Sequence, residues 1–183
     1  MVQNPVVQKK AQVEIRHVVG TGRLPVHDDR PNLPFVETVM TEVLRCCPAV
    51  PLASRALRSK ERYGAFELPK GSLVMANVWA MLHDHERFED PDIFKPARYT
   101  PDEEGAELTR FVYAAAFGFG RRTCPGRNFA TASMWIIIAT VLAAFDILPD
   151  GDKIDSGEGV DVPSLQYETG ALPLLQSTLF LQM

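Results

Sequence analysis

The sequence predicts a mainly α-helical fold with small β-sheets, in a single domain over residues 1–183. Three observations favour this fold class. Two segments near the N-terminus repeat apolar residues at helical spacing, and a third, residues 129–145, is a long run without charge. The stretches that resemble strands are short and are bounded by proline and glycine, which is typical of small sheets.

Composition and charge narrow the class of protein. Hydrophobic residues make up 46% of the chain and charged residues 23%, which is ordinary for a soluble globular protein. The net charge of −4 provides no basic field, so no nucleic-acid partner is expected. Three cysteines without C-x-x-C spacing match neither a disulfide framework nor the usual zinc patterns. The N-terminal segment carries charges throughout, so neither a signal peptide nor a membrane anchor is expected in this chain.

The first two helices follow from periodicity and end signals. Asn4 is a good N-cap, Pro5 fits the first helical position, and Gly20 marks the end of the first helix. The second helix is expected to begin near Pro34 and to stop at Pro48. Apolar stripes should face the core on both helices: Val7, Ala11, Ile15 and Val18 on the first, and Val36, Val39, Met40, Val43, Leu44 and Cys47 on the second.

The middle of the chain predicts short strands and irregular segments. Strands are expected within residues 50–57 and 63–69. The turn at residues 69–71 predicts a hairpin that pairs the strand before it with a strand at residues 72–78. Residues 83–110 are polar and rich in proline and aspartate, so we expect them to be mostly irregular.

The last third of the chain predicts a long helix and a final hairpin. The helix should run from about Arg127 to Leu148. Its uncharged part falls slightly short of the roughly 18 to 20 residues that a membrane span requires. A helix buried in a protein core is the favoured interpretation, and a transmembrane helix is the alternative. The final hairpin is expected to turn near Gly170 and to include residues 177–183.

Charged residues on the second helix raise a separate question. Glu42 and Arg45 lie three residues apart, on the face opposite the apolar stripe. From the sequence alone, a solvated ion pair is the favoured interpretation, and a buried pair with a third partner is the alternative. Arg98 is the candidate third partner, because one carboxylate can bind two guanidinium groups. The HDHE segment, residues 83–86, lacks a third ligand at a standard spacing, so a metal site is not expected there.

The segment FGFGRRTCPGR, residues 117–127, places Cys124 among glycines and arginines. Its glycine spacing does not match phosphate-binding loops, and no histidine lies near enough in sequence to activate a nucleophile. A buried, inert cysteine is one interpretation. The arginines and the helix that follows would both stabilise a thiolate, and the glycines would let a flat ligand come close. A single thiolate that binds haem iron fits all of these features.

The same segment resembles a known protein family, the cytochromes P-450, which are haem-thiolate monooxygenases. Glu42 and Arg45 resemble the family's E-x-x-R motif on its K helix, and Arg98 resembles the arginine that completes a Glu–Arg–Arg network. Two departures occur beside Arg98, because the family often has glutamate where Ala97 stands and phenylalanine where Tyr99 stands. Five residues match the family's signature F-x-x-G-x-R-x-C-x-G at every fixed position: Phe117, Gly120, Arg122, Cys124 and Gly126.

The resemblance implies a role for each of these residues. Cys124 would be the axial ligand of the iron, and Arg122 and Arg55 would contact the haem propionates. The Glu–Arg–Arg network would be structural. Residues 50–53 and 170–172 resemble segments that line the substrate pocket. The cofactor-binding residues implied in this way are Phe117, Gly120, Arg122, Cys124, Gly126 and Arg55.

The resemblance also implies an activity. It predicts an oxidoreductase that inserts one oxygen atom from O₂ into a small lipophilic substrate, with haem (heme b, iron protoporphyrin IX) as cofactor. An NADPH-dependent flavoprotein reductase would be the partner, and the full-length family member would lie on the cytosolic face of the endoplasmic reticulum membrane. The sequences of the cysteine loop and of the helices that resemble the J and K helices are typical of fungal members.

Coverage limits what this chain is expected to do. The family's I helix, which handles oxygen and protons, would precede residue 1, so no catalytic residue is expected within the chain. The chain would be a C-terminal part of the fold, with the J, K and L helices, short β hairpins and the cysteine-ligand loop. A catalytically inactive haem-binding fragment and a membrane-associated interaction fragment are the alternatives.

Overall fold

The computed structural model describes residues 1–148 and 178–180 and confirms a mainly α fold with small β-sheets. Short 3₁₀ turns lie at His27–Asn32, Pro96–Arg98 and Gly120–Arg122. The helices are α1 (Pro5–Val19), α2 (Pro34–Cys46), α3 (Val78–Leu82), α4 (Glu103–Phe117) and α5 (Arg127–Ala144). The strands are β1 (Leu52–Ala56), β2 (Glu61–Tyr63), β3 (Phe66–Leu68), β4 (Leu73–Asn77) and β5 (Thr178–Phe180).

The chain divides into two compact units. The first unit comprises residues 1–51 and 78–148, and it contains the five helices of the described part of the chain. The described part of the second unit comprises residues 52–77 and 178–180, and it contains the strands. That residues 1–183 form a single domain stays a prediction.

The core of the first unit is built around α2, as the apolar periodicity predicts. α1, α4 and α5 all pack against it. The predicted stripes are largely confirmed, since Ala11 and Ile15 of α1 and Val36 and Met40 of α2 are buried in one cluster. Cys47 is the exception, because α2 ends at Cys46 and leaves Cys47 exposed beyond the last turn.

Two buried glutamines of α1 fix the end of α5. Gln8 binds the backbone of Ile147 on both sides, donating to its carbonyl at 3.3 Å and accepting from its N–H at 3.1 Å. Gln12 donates to the carbonyl of Phe145 at 3.2 Å. These bonds satisfy backbone groups that a longer helix would pair internally. α5 accordingly ends at Ala144, four residues before the predicted end at Leu148.

The prediction that residues 83–110 are mostly irregular is wrong in its last part, where α4 begins. Asp102 is the N-cap, and its carboxylate accepts a hydrogen bond from the N–H of Gly105 at 2.9 Å. A side chain at Gly105 would overlap the backbone of Thr100, so glycine permits this close approach. The acidic first turn, Glu103 and Glu104, is favourable at a helix N-terminus.

The pairing of the strands corrects a second prediction. The turn at residues 69–71 exists, with Ser72 donating to the Pro69 carbonyl at 3.1 Å, but β3 and β4 do not pair. Instead β4 pairs antiparallel with β1 and parallel with β5, and β3 forms its hairpin with β2. Leu57, the residue after β1, binds the turn directly: its carbonyl accepts a hydrogen bond from the N–H of Gly71 at 2.9 Å. The predicted turn near Gly170 lies outside the described residues.

α5 is buried along one face only. Thr131, Trp135 and Ala139 are buried, whereas Phe129 is 79% exposed and Ile137 is 60% exposed. In the part of the chain that the structure describes, α5 is the one helix whose length and apolar composition would suit a membrane span. Core helices of soluble proteins pass the same test. One face of α5 is thus buried, and the choice between a core helix and a membrane span stays a prediction.

Candidate functional site

A buried ion network lies on α2, centred on Glu42. The side chains of Glu42 and Arg45 are fully buried, and that of Arg98 is 6% exposed. Arg45 binds both carboxylate oxygens of Glu42, through Nε at 2.9 Å and Nη2 at 3.0 Å. Arg98 Nε donates to Glu42 Oε1 at 3.2 Å. The solvated interpretation is therefore wrong, and the alternative with Arg98 as third partner is confirmed.

The two guanidinium groups also bind the irregular segment that covers this face of α2. Arg45 donates to the carbonyl of Ile93 at 3.4 Å, and also to that of Leu82, the last residue of α3, at 2.9 Å. Arg98 donates to the carbonyls of Glu89 at 2.9 Å and Ile93 at 3.2 Å. Buried cations need partners in every direction in which they carry N–H groups, and backbone carbonyls supply them here. The network thereby fastens residues 89–98 onto α2.

Tyr99 is a member of this network that the sequence interpretation missed. Its hydroxyl donates to Glu42 Oε2 at 2.7 Å, and the N–H of Lys95 donates to Oε1 at 2.8 Å. Burial and the Glu42 charge raise the pKa of Tyr99 above its usual value, so the phenol stays a donor. The sequence did contain a sign of this role, since Tyr99 stands where the family that the chain resembles often has phenylalanine. A buried hydroxyl needs a hydrogen-bond partner, and a phenylalanine does not.

Hydrogen bonds keep the carboxylate of Glu42 ionised although it is buried. Burial opposes ionisation, but the hydrogen bonds from Arg45, from the Lys95 N–H and from Tyr99 outweigh it and hold the pKa of Glu42 below its usual value. Cys46 lies beside this carboxylate, and burial together with Glu42 raises the pKa of its thiol to about 12. Cys46 is therefore a neutral partner, which accepts from Arg45 Nη2 at 3.0 Å.

The loop that carries Cys124 joins α4 to α5 and is closed by its own hydrogen bonds. The N–H of Cys124 donates to the carbonyl of Phe117, the last residue of α4, at 2.7 Å. Thr123 Oγ1 donates to the Gly120 carbonyl at 2.7 Å. Gly118 has φ +91° and Gly120 has φ +63°, both in the left-handed region that favours glycine. Gly118 and the signature residue Gly120 therefore allow the tight reversal of the chain.

The structure exposes Cys124, so the interpretation as a buried, inert cysteine is wrong. α5 begins three residues later, and the N–H of Arg127 donates to the Cys124 carbonyl at 3.2 Å. A Cβ at Gly126 would lie 3.7 Å from Cys124 Sγ, so a longer side chain there would crowd the sulfur. A Cβ at Gly120 would meet open space. The sulfur is therefore presented outward at the start of a helix.

These residues fit a haem group. Haem needs an axial donor that it can reach, and Cys124 supplies an exposed sulfur. Haem also needs apolar surface, and exposed phenylalanines lie on the same loop and on the first turn of α5, with Phe119 52% and Phe129 79% exposed. Phe117 is half-buried and packs on Tyr113 in the core. Arg122 is exposed, and its contact with a propionate stays a prediction.

Arg55 and the HDHE segment are placed as follows. Arg55 is exposed on β1, opposite Val74 in the register, and its propionate role stays a prediction. The pocket role of residues 50–53 also stays a prediction, and residues 170–172 lie outside the described part. His83 stacks on Trp79 with ring centroids 4.3 Å apart. Within residues 1–148 and 178–180, no group of three or more His, Cys, Asp or Glu side chains could hold a metal ion.

Comparisons with known proteins identify the family of this chain. The family model described as Cytochrome P-450 matches residues 1–169. Cytochrome P-450 monooxygenase 105 of Postia placenta is 48% identical over 174 residues, which cover 94% of this chain. Cytochrome P-450 monooxygenase claT of Ampulloclitocybe clavipes is 45% identical over 156 residues, 84% of this chain. The chain belongs to the cytochrome P-450 family.

The relatives are longer than this chain and come from fungi. The chain spans 32% of the Postia placenta protein and 31% of the Ampulloclitocybe clavipes protein. Cytochrome P-450 monooxygenase CLM2 of Gibberella zeae is 41% identical over 94% of this chain, which again spans 32% of the relative. The fungal character predicted from the motifs is consistent with these sources.

Proposed function

We propose that this chain supplies the haem-binding part of a haem-thiolate monooxygenase, with Cys124 as the axial ligand of the iron in heme b. One observation carries the proposal: a loop with the family's signature holds the Cys124 backbone at 2.7 Å from the Phe117 carbonyl while its thiol is exposed. A fixed backbone with an exposed sulfur is what an axial ligand requires, since a mobile one would lose ordering entropy on binding.

The site residues have separate roles in this proposal. Haem ligated by a thiolate supplies the oxygen-activating chemistry when bound, by which one atom of O₂ enters an organic substrate. Cys124 would supply the sulfur ligand, and Gly126, where a Cβ would lie 3.7 Å from that sulfur, leaves the space beside it open. Arg122 and Arg55 would pair with the propionates. The Glu42 network holds α2 and residues 89–98 together.

The activity, substrate and partners belong to the whole protein. The printed names of the relatives are those of monooxygenases, which supports the insertion of oxygen into a small lipophilic substrate. An NADPH-dependent flavoprotein reductase would deliver electrons, and the cytosolic face of the endoplasmic reticulum membrane would be the location. These proposals rest on family membership.

The ligand assignment is tested by reconstituting the chain with hemin, reducing it and adding carbon monoxide. We expect the Soret band at the long-wavelength position that is typical of thiolate ligation. Cys124→Ser should lose this band, because a hydroxyl is a poor iron ligand. Cys47→Ser is the matched control, since Cys47 is also exposed, and it should retain the band. A thiolate band in Cys124→Ser, or none in the unmodified chain, contradicts the proposal.

The reaction class needs a second measurement. The haem-loaded whole protein that contains this chain is supplied with NADPH, a flavoprotein reductase, isotopically labelled O₂ and a panel of small lipophilic compounds. One labelled oxygen atom in a product supports a monooxygenase. A thiolate spectrum without any labelled product contradicts that part of the proposal and indicates a haem-binding protein without turnover.

A further inference from the structure

A second carboxylate of α2, Glu37, connects this helix to α4. Arg30 binds it in bidentate geometry, with Nε to Oε2 at 2.9 Å and Nη2 to Oε1 at 2.8 Å. The hydroxyl of Tyr113 on α4 donates to Oε1 at 3.1 Å. Tyr113 is 7% exposed, and its hydroxyl is held by α2 through Glu37 and through a second hydrogen bond with Thr41.

The ring of Tyr113 contacts residues on both sides of the Cys124 loop. The ring of Phe117 stacks on it, with centroids 6.1 Å apart and an interplanar angle of 26°. The guanidinium carbon of Arg127 lies 5.2 Å from its centroid, which is within the range of a cation–π contact. Phe117 is the last residue of α4 and Arg127 is the first of α5. One side chain thus touches the residue before the loop and the residue after it.

We propose that Tyr113 is a positioning residue for Cys124, which fixes both ends of the cysteine loop relative to Glu37 on α2. The path has three contacts: Glu37 holds the Tyr113 hydroxyl, the Tyr113 ring holds Phe117 and Arg127, and the Phe117 carbonyl holds the Cys124 N–H. The inference rests on the proposed function only for the statement that Cys124 is a haem ligand.

The hydrogen bond of the Tyr113 hydroxyl fixes the position of its ring. Without it, the ring could shift along α2, because stacking tolerates offsets. A hydrogen bond to a carboxylate is directional and stronger than one between neutral groups. Burial, followed by the Glu37 charge, raises the pKa of Tyr113 to about 12, so the phenol remains a donor at neutral pH.

The test is amide hydrogen exchange of the full chain without haem, read at Cys124. The Cys124 N–H is protected by its bond to the Phe117 carbonyl. In Tyr113→Phe, which keeps the ring and loses the hydroxyl, we expect Cys124 to exchange at least about fivefold faster than in the unmodified chain. After reconstitution with hemin, the same variant should show a smaller thiolate fraction in its carbon monoxide spectrum.

Tyr99→Phe is the matched control. Tyr99 is also 7% exposed and also donates to a carboxylate of α2, Glu42, at 2.7 Å. If Tyr113 acted only through global stability, both variants would accelerate Cys124 exchange. Under conditions where both variants stay folded and the Cys124 N–H exchanges by local opening, we expect Tyr99→Phe to leave its exchange within about twofold of the unmodified chain. Unchanged exchange in Tyr113→Phe, or equal acceleration in Tyr99→Phe, overturns the inference. Absence of a thiolate spectrum in the unmodified chain would contradict the proposed function alone.

Discussion

At the scale of single residues, Glu42 has the most partners in the site. Its carboxylate accepts from two arginines, one tyrosine and one backbone N–H, and its side chain is fully buried. Desolvation of an ion pair often cancels its attraction, so the pair itself adds little net stability. Loss of one member is different, because it leaves the remaining buried charges unpaired.

Glu42→Ala should therefore be severely destabilising. It leaves Arg45 and Arg98 without their counter-charge, and we expect a loss of about 3–5 kcal/mol in the free energy of unfolding. Urea titration measures this loss, and haem content after reconstitution should fall with it. Glu67→Ala is the control, because Glu67 and Lys60 form an ion pair with side chains 67% and 62% exposed, and it should cost at most about 1 kcal/mol. A small loss for Glu42→Ala would mean that the network is dispensable.

Tyr99→Phe should cost about 1.5–3 kcal/mol in the free energy of unfolding. The variant keeps the buried ring but removes a hydrogen bond to a charged acceptor at 2.7 Å. Urea titration is again the measurement. Tyr63→Phe is the control, since Tyr63 is 47% exposed, and it should change stability by less than about 0.5 kcal/mol. Equal effects of the two variants would show that the phenol of Tyr99 is not needed.

The sequence identified the charged members of the network but not their environment. Glu42, Arg45 and Arg98 were found from spacing and resemblance, whereas burial was judged wrongly. Helical periodicity places Glu42 and Arg45 opposite the apolar stripe, which normally means solvent. The segment that covers them is irregular and carries no periodic signal, so local sequence alone did not reveal the cover.

At the scale of elements, α2 is capped from a different helix. Its N-cap residue, Leu33, has no side-chain acceptor. Glu14 of α1 replaces it, accepting from the N–H groups of Phe35 at 2.9 Å and Val36 at 3.0 Å. A carboxylate at a helix N-terminus satisfies two free donors and interacts favourably with the helix dipole. The cap also joins the first two helices.

Glu14→Ala should cost about 1–2 kcal/mol in the free energy of unfolding, because two N–H groups of α2 lose their acceptor. Glu14→Gln retains one acceptor oxygen, so its loss should be smaller. Thermal unfolding of the three proteins measures the order of stability. If Glu14→Gln were as unstable as Glu14→Ala, a specific cap at this position would be contradicted.

Acid should weaken the turn between α1 and α2. The hydrogen bond from Arg23, aided by the Val26 N–H, lowers the pKa of Asp29 to about 2. The folded state therefore binds fewer protons than the unfolded state below about pH 4, so this contribution is complete above that pH and is lost as the pH falls towards 2. The unfolding free energy of Asp29→Asn should depend less on pH in this window.

The control for this pH dependence is Asp28→Asn, since Asp28 is the exposed neighbour of Asp29. Unfolding free energies are measured in urea between neutral and acid pH. In Asp28→Asn they should depend on pH in the same way as in the unmodified chain. The same slope in Asp29→Asn as in the unmodified chain would rule out this source of acid sensitivity.

Prediction of elements succeeded where one face of a long segment is apolar. α1 and α2 begin at the predicted Pro5 and Pro34, because proline and the apolar stripe both mark the start. α4 was missed although Asp102 and two following glutamates signal a helix start, since the polar composition before them favoured a loop. Pairing of β4 with β1 rather than with β3 depends on contacts between distant residues, which local turn chemistry does not specify.

At the scale of the whole molecule, the chain presents exposed apolar side chains along α5 and just beyond its end. Phe129, Ile137 and Phe145 of the α5 region are each at least 60% exposed. A patch of this kind marks a binding surface or an aggregation risk in a soluble protein. Membership of the family was predictable because the loop signature is contiguous in the sequence. The role of Arg55 stays a prediction, because Arg55 lies on β1, far in sequence from the loop signature.

The most direct test of the central claim is X-ray absorption at the iron edge of the hemin-reconstituted chain. The account predicts one sulfur in the first coordination shell of the unmodified chain and none after Cys124→Ser. A shell of nitrogen and oxygen alone in the unmodified chain, or a sulfur that persists in Cys124→Ser, would contradict it.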